Sequence, residues 1–305
     1  MRNKKIADAT ASAETPTVSK AVVDKDIDLD AMLTDSLSAE TNARTRHSKL
    51  YSILRPFFLP TLIGGENIPS KPVLLVGNHA LFALDVPLIQ STILHESGRL
   101  VRAMGDKVLF GNATMRNMMI NQGGILGHPD LCAAMMALGK DLMVFPGGSY
   151  EVNKPAVERY QLKWKERYGF VRLAAQHGYT ILPFATIGPD EFYGRYMESE
   201  QLYRSALGKL LIKLGFLADG GRADILPPVP KGLFGTLVPK PQRFYMSVGH
   251  PIDLAELAGQ ELAKEQLSEI REKVASSIES QIRELLLIRS QRAESDSWLR
   301  RLLTR

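Results

Sequence analysis

Val73-Leu-Leu-Val-Gly-Asn-His79-Ala-Leu-Phe-Ala-Leu-Asp85 drives an apolar run into an Asn-His pair and places a carboxylate six residues beyond the histidine. A short Val/Leu run bounded by glycine is what a strand covered on both faces requires. Open α/β sheets collect their ligands at the C-terminal ends of strands, which is where His79 would stand. Neutral imidazole accepts a proton from a hydroxyl near pH 7, a range in which no other unperturbed side chain titrates. The competing reading is structural: His79 as a hydrogen-bonded strand boundary, and Asp85, followed by Val86-Pro87, as a helix cap.

Working outward, apolar runs recur with helical patterns between them. Val73 to Val76, Asp141 to Phe145, Thr180 to Ile187 and Arg243 to Val248 read as strands, and 86–97, 107–121, 130–139 and 165–177 as helices. Alternation of this kind predicts an α/β fold with a mixed, partly parallel sheet flanked by helices. From Asp253 to about Arg292 apolar residues recur mostly every three to five positions, a long C-terminal amphipathic helix with a kink expected near Gly259. Another amphipathic stretch, Ser48 to Leu62, stops at prolines ahead of Gly64-Gly65 and serves either to cover the sheet or to dock on a surface. Residues 1–45 lack sustained periodicity and read as a mobile N-terminal arm with a short helix near Leu29 to Leu37.

With 45% hydrophobic and 23% charged residues the 305-residue chain has the make-up of a globular protein. No stretch offers the roughly 18 consecutive apolar residues of a membrane span. The N-terminus lacks the apolar core of a signal peptide, and Cys132 alone excludes an intramolecular disulfide framework, so a reducing, cytoplasmic setting is expected. The formal charge of +5 is mild, but basic residues cluster with aromatic and leucine residues at 154–172, 203–216 and 298–305. Basic helices with an apolar face lie in the headgroup layer of anionic membranes, so peripheral association with such a surface is expected. Nucleic acid is not, because no helix-turn-helix, zinc-finger or RNP-like pattern accompanies the clusters. Solvated faces of core helices remain the alternative for all three.

A second constellation follows the strand at 141–145, in Phe145-Pro-Gly147-Gly148-Ser-Tyr-Glu151. Two glycines after a strand let the backbone approach a ligand and present N–H groups to an anion or a developing oxyanion, although a plain tight turn has the same composition. Gly147, Gly148, Asn78 and Glu151 are therefore the candidate oxyanion and substrate-binding residues beside His79 and Asp85.

Taken in order, Val-Gly-Asn-His79 with Asp85, Phe-Pro-Gly-Gly with Glu151, Tyr160-Gln-Leu-Lys-Trp164, Gly169-Phe-Val-Arg-Leu-Ala-Ala175 and Ile181-Leu-Pro-Phe-Ala-Thr-Ile-Gly188 resemble the lysophospholipid acyltransferase superfamily. The branch most similar holds monoacylglycerol and diacylglycerol acyltransferase-like proteins and the plant phytyl ester synthases. The resemblance runs from about Leu62 to Leu254. It implies a glycerolipid acyltransferase-like fold over residues 46–295, followed by a basic C-terminal tail at 296–305. It further implies acyl transfer from acyl-CoA or acyl carrier protein, as co-substrate and with no cofactor, to a hydroxyl. His79 would be the base, and Asp85 the acid that orients it. Five residues separate these two here, whereas members acylating lysophosphatidate usually have four. The family's Glu-Gly-Thr-Arg block is replaced by Gly147-Gly-Ser-Tyr-Glu151, without its arginine, and no arginine stands in Gly123 to His128. Loss of cations disfavours a phosphomonoester acceptor and favours a neutral one, a mono- or diacylglycerol or a long-chain alcohol, with lysophosphatidate as the alternative.

Other chemistries fit less well. There is no Gly-x-Ser-x-Gly elbow, no His-Glu-x-x-His, no P-loop and no Gly-x-Gly-x-x-Gly, and one cysteine cannot build a structural zinc site, so neither a metal nor a nucleotide is expected. Cys132, within Leu-Cys-Ala-Ala-Met-Met, reads as an apolar filler. A catalytically silent lipid-binding module that recruits the chain to membranes is the remaining alternative from another class.

Overall fold

A computed structural model describes residues 28–206, 209, 228–292, 294 and 296–304. Its strands are β1 (Thr61–Ile63), β2 (Val73–Gly77), β3 (Val101–Gly105), β4 (Gly124–Leu126), β5 (Asp141–Val144), β6 (Thr180–Ile187), β7 (Gly194–Met197), β8 (Val229–Lys231) and β9 (Tyr245–Val248). Helices are α1 (Leu29–Ser38), α2 (Glu40–Phe58), α3 (Asp85–Ser97), α4 (Ala113–Asn121), α5 (Pro129–Ala137), α6 (Ser149–Val152), α7 (Gly169–Gln176), α8 (Ser199–Arg204), α9 (Lys264–Arg292) and α10 (Trp298–Thr304).

Seven strands form one sheet in the order β1-β9-β6-β2-β5-β3-β4, and β7 pairs with β8 separately. β2 lies between β5 and β6, parallel to both, and all five of its residues are buried. Its side chains divide by the period of two that a pleated strand imposes. Leu74 and Val76 join the core beneath α1, α5, α7 and α9, while Val73 and Leu75 join the core on the other face, with Phe58, Leu88, Ile89 and Ile93 of α2 and α3. Helices between successive parallel strands bring the chain back each time, so β2, β5 and β6 all end at the same edge of the sheet. β9 reverses direction against β6 and carries β1 parallel to itself, which makes the sheet mixed, as expected.

Three differences from the sequence reading concern the ends of the chain and of its elements. The N-terminal arm expected through residue 45 is too long. Residues 1–27 lie outside the described residues, but from the Asp28 cap onward the chain is helical, with Leu29, Met32, Leu33 and Ala43 buried. What anchors this region is charge: Arg102 on β3 is 1% exposed, and Glu40 Oε2 receives its Nη2 and the Lys140 Nζ, each at 2.9 Å. Second, the C-terminal helix begins at Lys264 and not near residue 253, since Gly259 has φ +74° and the chain before it forms only a single turn at Ala255–Leu257. Third, the segment 296–304 is docked. α10 sends Arg300 Nη1 to the Phe57 carbonyl at 3.0 Å, and Gln242 Nε2 reaches Thr304 O at 2.9 Å. The basic segment expected at 203–216 falls mostly outside the described residues. No described helix is long and apolar enough to cross a membrane.

Candidate active site

His79 stands just past Asn78 at the end of β2, and the chain must turn sharply to bring Asp85 back to it. Phe82 and Ala83 both adopt left-handed backbone, φ 60° and 56°, a costly conformation for two successive residues that bear side chains. That turn absorbs the fifth intervening residue and starts α3 at Asp85, so the longer spacing still closes the pair. His79 Nδ1 stands 3.0 Å from Asp85 Oδ2 and 3.1 Å from Oδ1. Oδ2 also accepts the Ala80 N–H at 2.9 Å, and Asp85 is wholly buried. A carboxylate accepts only, so the proton of a neutral imidazole is assigned to Nδ1 and Nε2 is left as the basic nitrogen. The Phe145 ring stacks on the imidazole, centroids 4.0 Å apart and planes 12° from parallel, which leaves His79 8% exposed. Phe145 directly follows β5, and its place in this site had no sign in the sequence beyond position.

The turn Pro146-Gly147-Gly148 brings Glu151 inward. A Cβ on Gly147 would lie 2.2 Å from Glu151 Cγ, so the glycine is there to admit that side chain. Gly148, at φ 51° and ψ −135°, holds a conformation closed to other residues, and its N–H already donates to Phe145 O at 3.0 Å. The expectation that both glycines offer N–H groups to an oxyanion therefore fails for Gly148, and Gly147 is the remaining donor of the pair. Glu151 is fully buried. Its Oε1 accepts the Lys163 N–H at 3.2 Å, while Oε2 has no hydrogen-bond partner among the described residues. Burial pushes its carboxyl up to about 7, against the opposing pull of Lys154 and His79.

Asn78 does not face a ligand. Its Nδ2 donates to Thr186 O at 2.9 Å and its Oδ1 accepts the Thr186 N–H at 2.8 Å, so both ends of the amide are spent tying the end of β2 to β6. The substrate-binding role expected of Asn78 is replaced by positioning: it fixes the strand end from which His79 projects.

Two site residues escaped the sequence reading. Lys154 and Asp190 form an ion pair of 2.9 Å with side chains 1% and 3% exposed. Lys154 Nζ also donates to His79 O at 3.0 Å, and Asp190 accepts the N–H groups of Leu81 at 3.2 Å and Tyr160 at 3.1 Å. Together they clamp the backbone on both sides of the histidine. The one available signal was that Asp190 follows Gly188-Pro189 at the end of an apolar strand, the same kind of position as His79. The glycine turn is likewise not free of cations. Arg167 Nη1 donates to Pro146 O at 2.7 Å, and Lys165 Nζ sits 3.4 Å from the centre of the Tyr150 ring. Cys132 is buried, and burial pushes its thiol up to about 12, which suits a core filler and not a nucleophile.

Residues 60–187, from the strand that opens the sheet to the end of β6, match the family model described as Acyltransferase. Over that stretch the chain is similar to the acyltransferase family. Phytyl ester synthases are among the proteins it is similar to. "Phytyl ester synthase 2, chloroplastic" of Arabidopsis thaliana is 28% identical over 257 residues, covering 76% of this chain and 36% of that protein. "Phytyl ester synthase 1, chloroplastic" of the same organism is 28% identical over 240 residues, 73% of this chain and 34% of that one. A "DGAT1/2-independent enzyme synthesizing storage lipids" of Gallus gallus is 27% identical over 125 residues, 41% of this chain and 37% of the relative. The chain thus spans about a third of the length of the phytyl ester synthases it matches.

Proposed function

We propose that this chain transfers a fatty acyl group from an acyl thioester, acyl-CoA or acyl carrier protein, to the hydroxyl of a neutral lipid, with His79 as general base. The observation that carries the reading is the buried His79–Asp85 pair at the C-terminal edge of the sheet. Nε2 takes the acceptor's hydroxyl proton as its oxygen adds to the thioester carbonyl. The tetrahedral intermediate then expels the thiolate, which recovers that proton from the imidazolium. The products are an ester and a free thiol. Asp85 holds the productive tautomer and stabilises the imidazolium, as the acid of a triad does. A base so placed contributes about 10²–10⁴ in rate, and one oxyanion donor, for which Gly147 N–H is the candidate, about 3 kcal/mol.

The neutral acceptor is supported by the absence of an arginine from the Gly147–Glu151 block and by relatives whose names refer to phytyl esters and storage lipids. Arg167, brought against that block from another segment, favours a second reading with lysophosphatidate as acceptor. Access to a lipid acceptor is supported by α10, which exposes Trp298 (71%) and Leu302 (59%) beside Arg301, the composition of a segment that rests on an anionic membrane.

The test is ester formation from labelled long-chain acyl-CoA with monoacylglycerol, diacylglycerol, long-chain alcohol or lysophosphatidate in mixed micelles, for the wild type, His79→Ala and Arg167→Ala. Ester on a neutral acceptor, lost with His79→Ala and kept with Arg167→Ala, supports the first reading. Product confined to lysophosphatidate and lost with Arg167→Ala supports the second. Unaltered turnover in His79→Ala refutes both.

A further inference from the structure

A cavity of about 490 Å³ opens where α9, the start of β9 and α10 meet. It is cationic. Arg243, Arg289, Arg300 and Arg301 line it against only Glu191 and Asp296, two more guanidinium groups than carboxylates among its described lining residues. The carboxylates are already shared out: Arg289 Nη1 donates to Glu191 Oε1 at 2.8 Å, and Arg243 Nε donates to Asp296 Oδ1 at 2.7 Å, with Arg300 Nε 4.0 Å from the same oxygen. Tyr245 also lines the cavity. It is wholly buried, yet its hydroxyl has no hydrogen-bond partner among the described residues. Buried hydroxyls without partners are uncommon, and one set among surplus guanidinium groups points to an anionic acceptor that is not part of the chain.

This cavity lies toward the end of the sheet at which the His79 site stands. Tyr245 begins β9 and pairs with Ile187 at the end of β6, the edge at which β2 also ends. Tyr160 bridges the two sites: its N–H donates to Asp190, which holds Leu81, and its hydroxyl donates to Glu191 at 2.7 Å in the cavity wall. The volume falls within the range of about 300–1,000 Å³ usual for small-molecule sites.

The geometry points to a phosphate-binding site in this cavity, holding the phosphates of the acyl donor while its thioester reaches His79. The choice of the donor rests on the acyl-transfer reading; the phosphate chemistry does not. A phospholipid headgroup carries the same chemistry, and the probes separate the two sources. Titration calorimetry would compare coenzyme A, pyrophosphate, sn-glycerol 3-phosphate and phosphate-free pantetheine on the wild type, Tyr245→Phe and Arg301→Ala. Tyr245→Phe removes only the unpartnered oxygen and should leave the melting temperature of the free protein unchanged or raised.

Coenzyme A and pyrophosphate should bind and pantetheine should not, with each variant weakening the phosphate probes about ten-fold or more. Binding of sn-glycerol 3-phosphate in place of coenzyme A, with the same losses, keeps the phosphate site and assigns it to a headgroup. Failure of every phosphate probe to bind the wild type, or equal binding by wild type and both folded variants, overturns the proposal. Acyl transfer from an acyl-pantetheine thioester is followed alongside, because it tests His79 without using a phosphate. Transfer that persists while the variants leave coenzyme A binding untouched sinks the cavity alone. Arginine-dependent binding without transfer from any thioester sinks the acyl-transfer reading and leaves the cavity standing.

Discussion

Replacing Glu151 with glutamine isolates the electrostatic cost of the glycine turn. The carboxyl is fully buried, has one oxygen without a partner, and is raised by that burial from an ordinary 4.5 to about 7. Between those two values the folded chain binds more protons at this site than the unfolded chain does. Stability held by the protonated form is therefore complete below the lower value and declines as the pH rises, levelling off above the upper one. At 1.36 kcal/mol per pKa unit, this one group lowers wild-type stability by about 2.5 kcal/mol between pH 5 and pH 8. Glutamine keeps the shape and the acceptor for the Lys163 N–H but does not titrate.

The assay is urea unfolding of the wild type and Glu151→Gln at a series of pH values. Trp164, 2% exposed and edge-on to Phe170, serves as the fluorescent reporter. Titrating groups remote from Glu151 affect both proteins alike, so the quantity to read is the difference between the two stability curves. It should grow in favour of Glu151→Gln by about 2.5 kcal/mol from pH 5 to pH 8. Parallel curves would show that Glu151 ionises like a solvated carboxylate, and the account of a desolvated acid behind Gly147 would fall.

Asp85→Asn should fold, since Asn Oδ1 can still accept the Ala80 N–H, but its amide would donate to His79 Nδ1 and place the ring proton on Nε2; ester formation should drop by about 10²–10⁴, and activity within a few-fold of wild type would reduce Asp85 to a cap. Asn78→Ala strands both backbone groups of Thr186 and should cost about 2–6 kcal/mol in urea unfolding, whereas a loss of activity at unchanged stability would restore Asn78 as a substrate contact. Gly147→Ala forces a methyl onto Glu151 and should destabilise the fold together with turnover, a pairing that unfolding and activity measured on one preparation would check. Trp298→Ala with Leu302→Ala should weaken sedimentation with anionic vesicles by about 30-fold, the equivalent of about 2 kcal/mol of lost apolar burial, and unchanged sedimentation would refute contact through α10.

Elements buried on both faces announced themselves. β2, β5 and β6 are predominantly apolar runs, and the reading of Thr180 to Ile187 as a strand coincides with β6. β1 and β4 have three residues each, too few for any periodicity to register. β3 was hidden for a different reason. Its Arg102 reads as a surface residue and is buried only because Glu40, on a helix far away in the sequence, supplies a carboxylate. The same partner explains why α1 and the start of α2 looked like a loose arm: their attachment is half apolar and half ionic, and the ionic half is invisible without the fold.

The site divides along the same line. His79 and Asp85 lie close in sequence and at the junction of a strand and a helix, so residue types and spacing made both candidates, and the family resemblance implied their pairing. Lys154 belongs to a segment whose basic residues read as membrane-facing or, alternatively, solvated, and Asp190 to a turn; neither charge is tolerable in the core by itself, and removing one partner of such a buried pair costs about 3–5 kcal/mol. Their mutual neutralisation, with hydrogen bonds to His79 O and the Leu81 N–H, makes burial possible. The charge that appears most exposed in the sequence is thus the one that holds the histidine loop in place. Gly148 shows the converse: its composition suggested a free donor, but turn geometry had already committed the N–H to Phe145. Local chemistry names the candidate groups of this site, and non-local pairing decides which of their neighbours keep a free donor or acceptor.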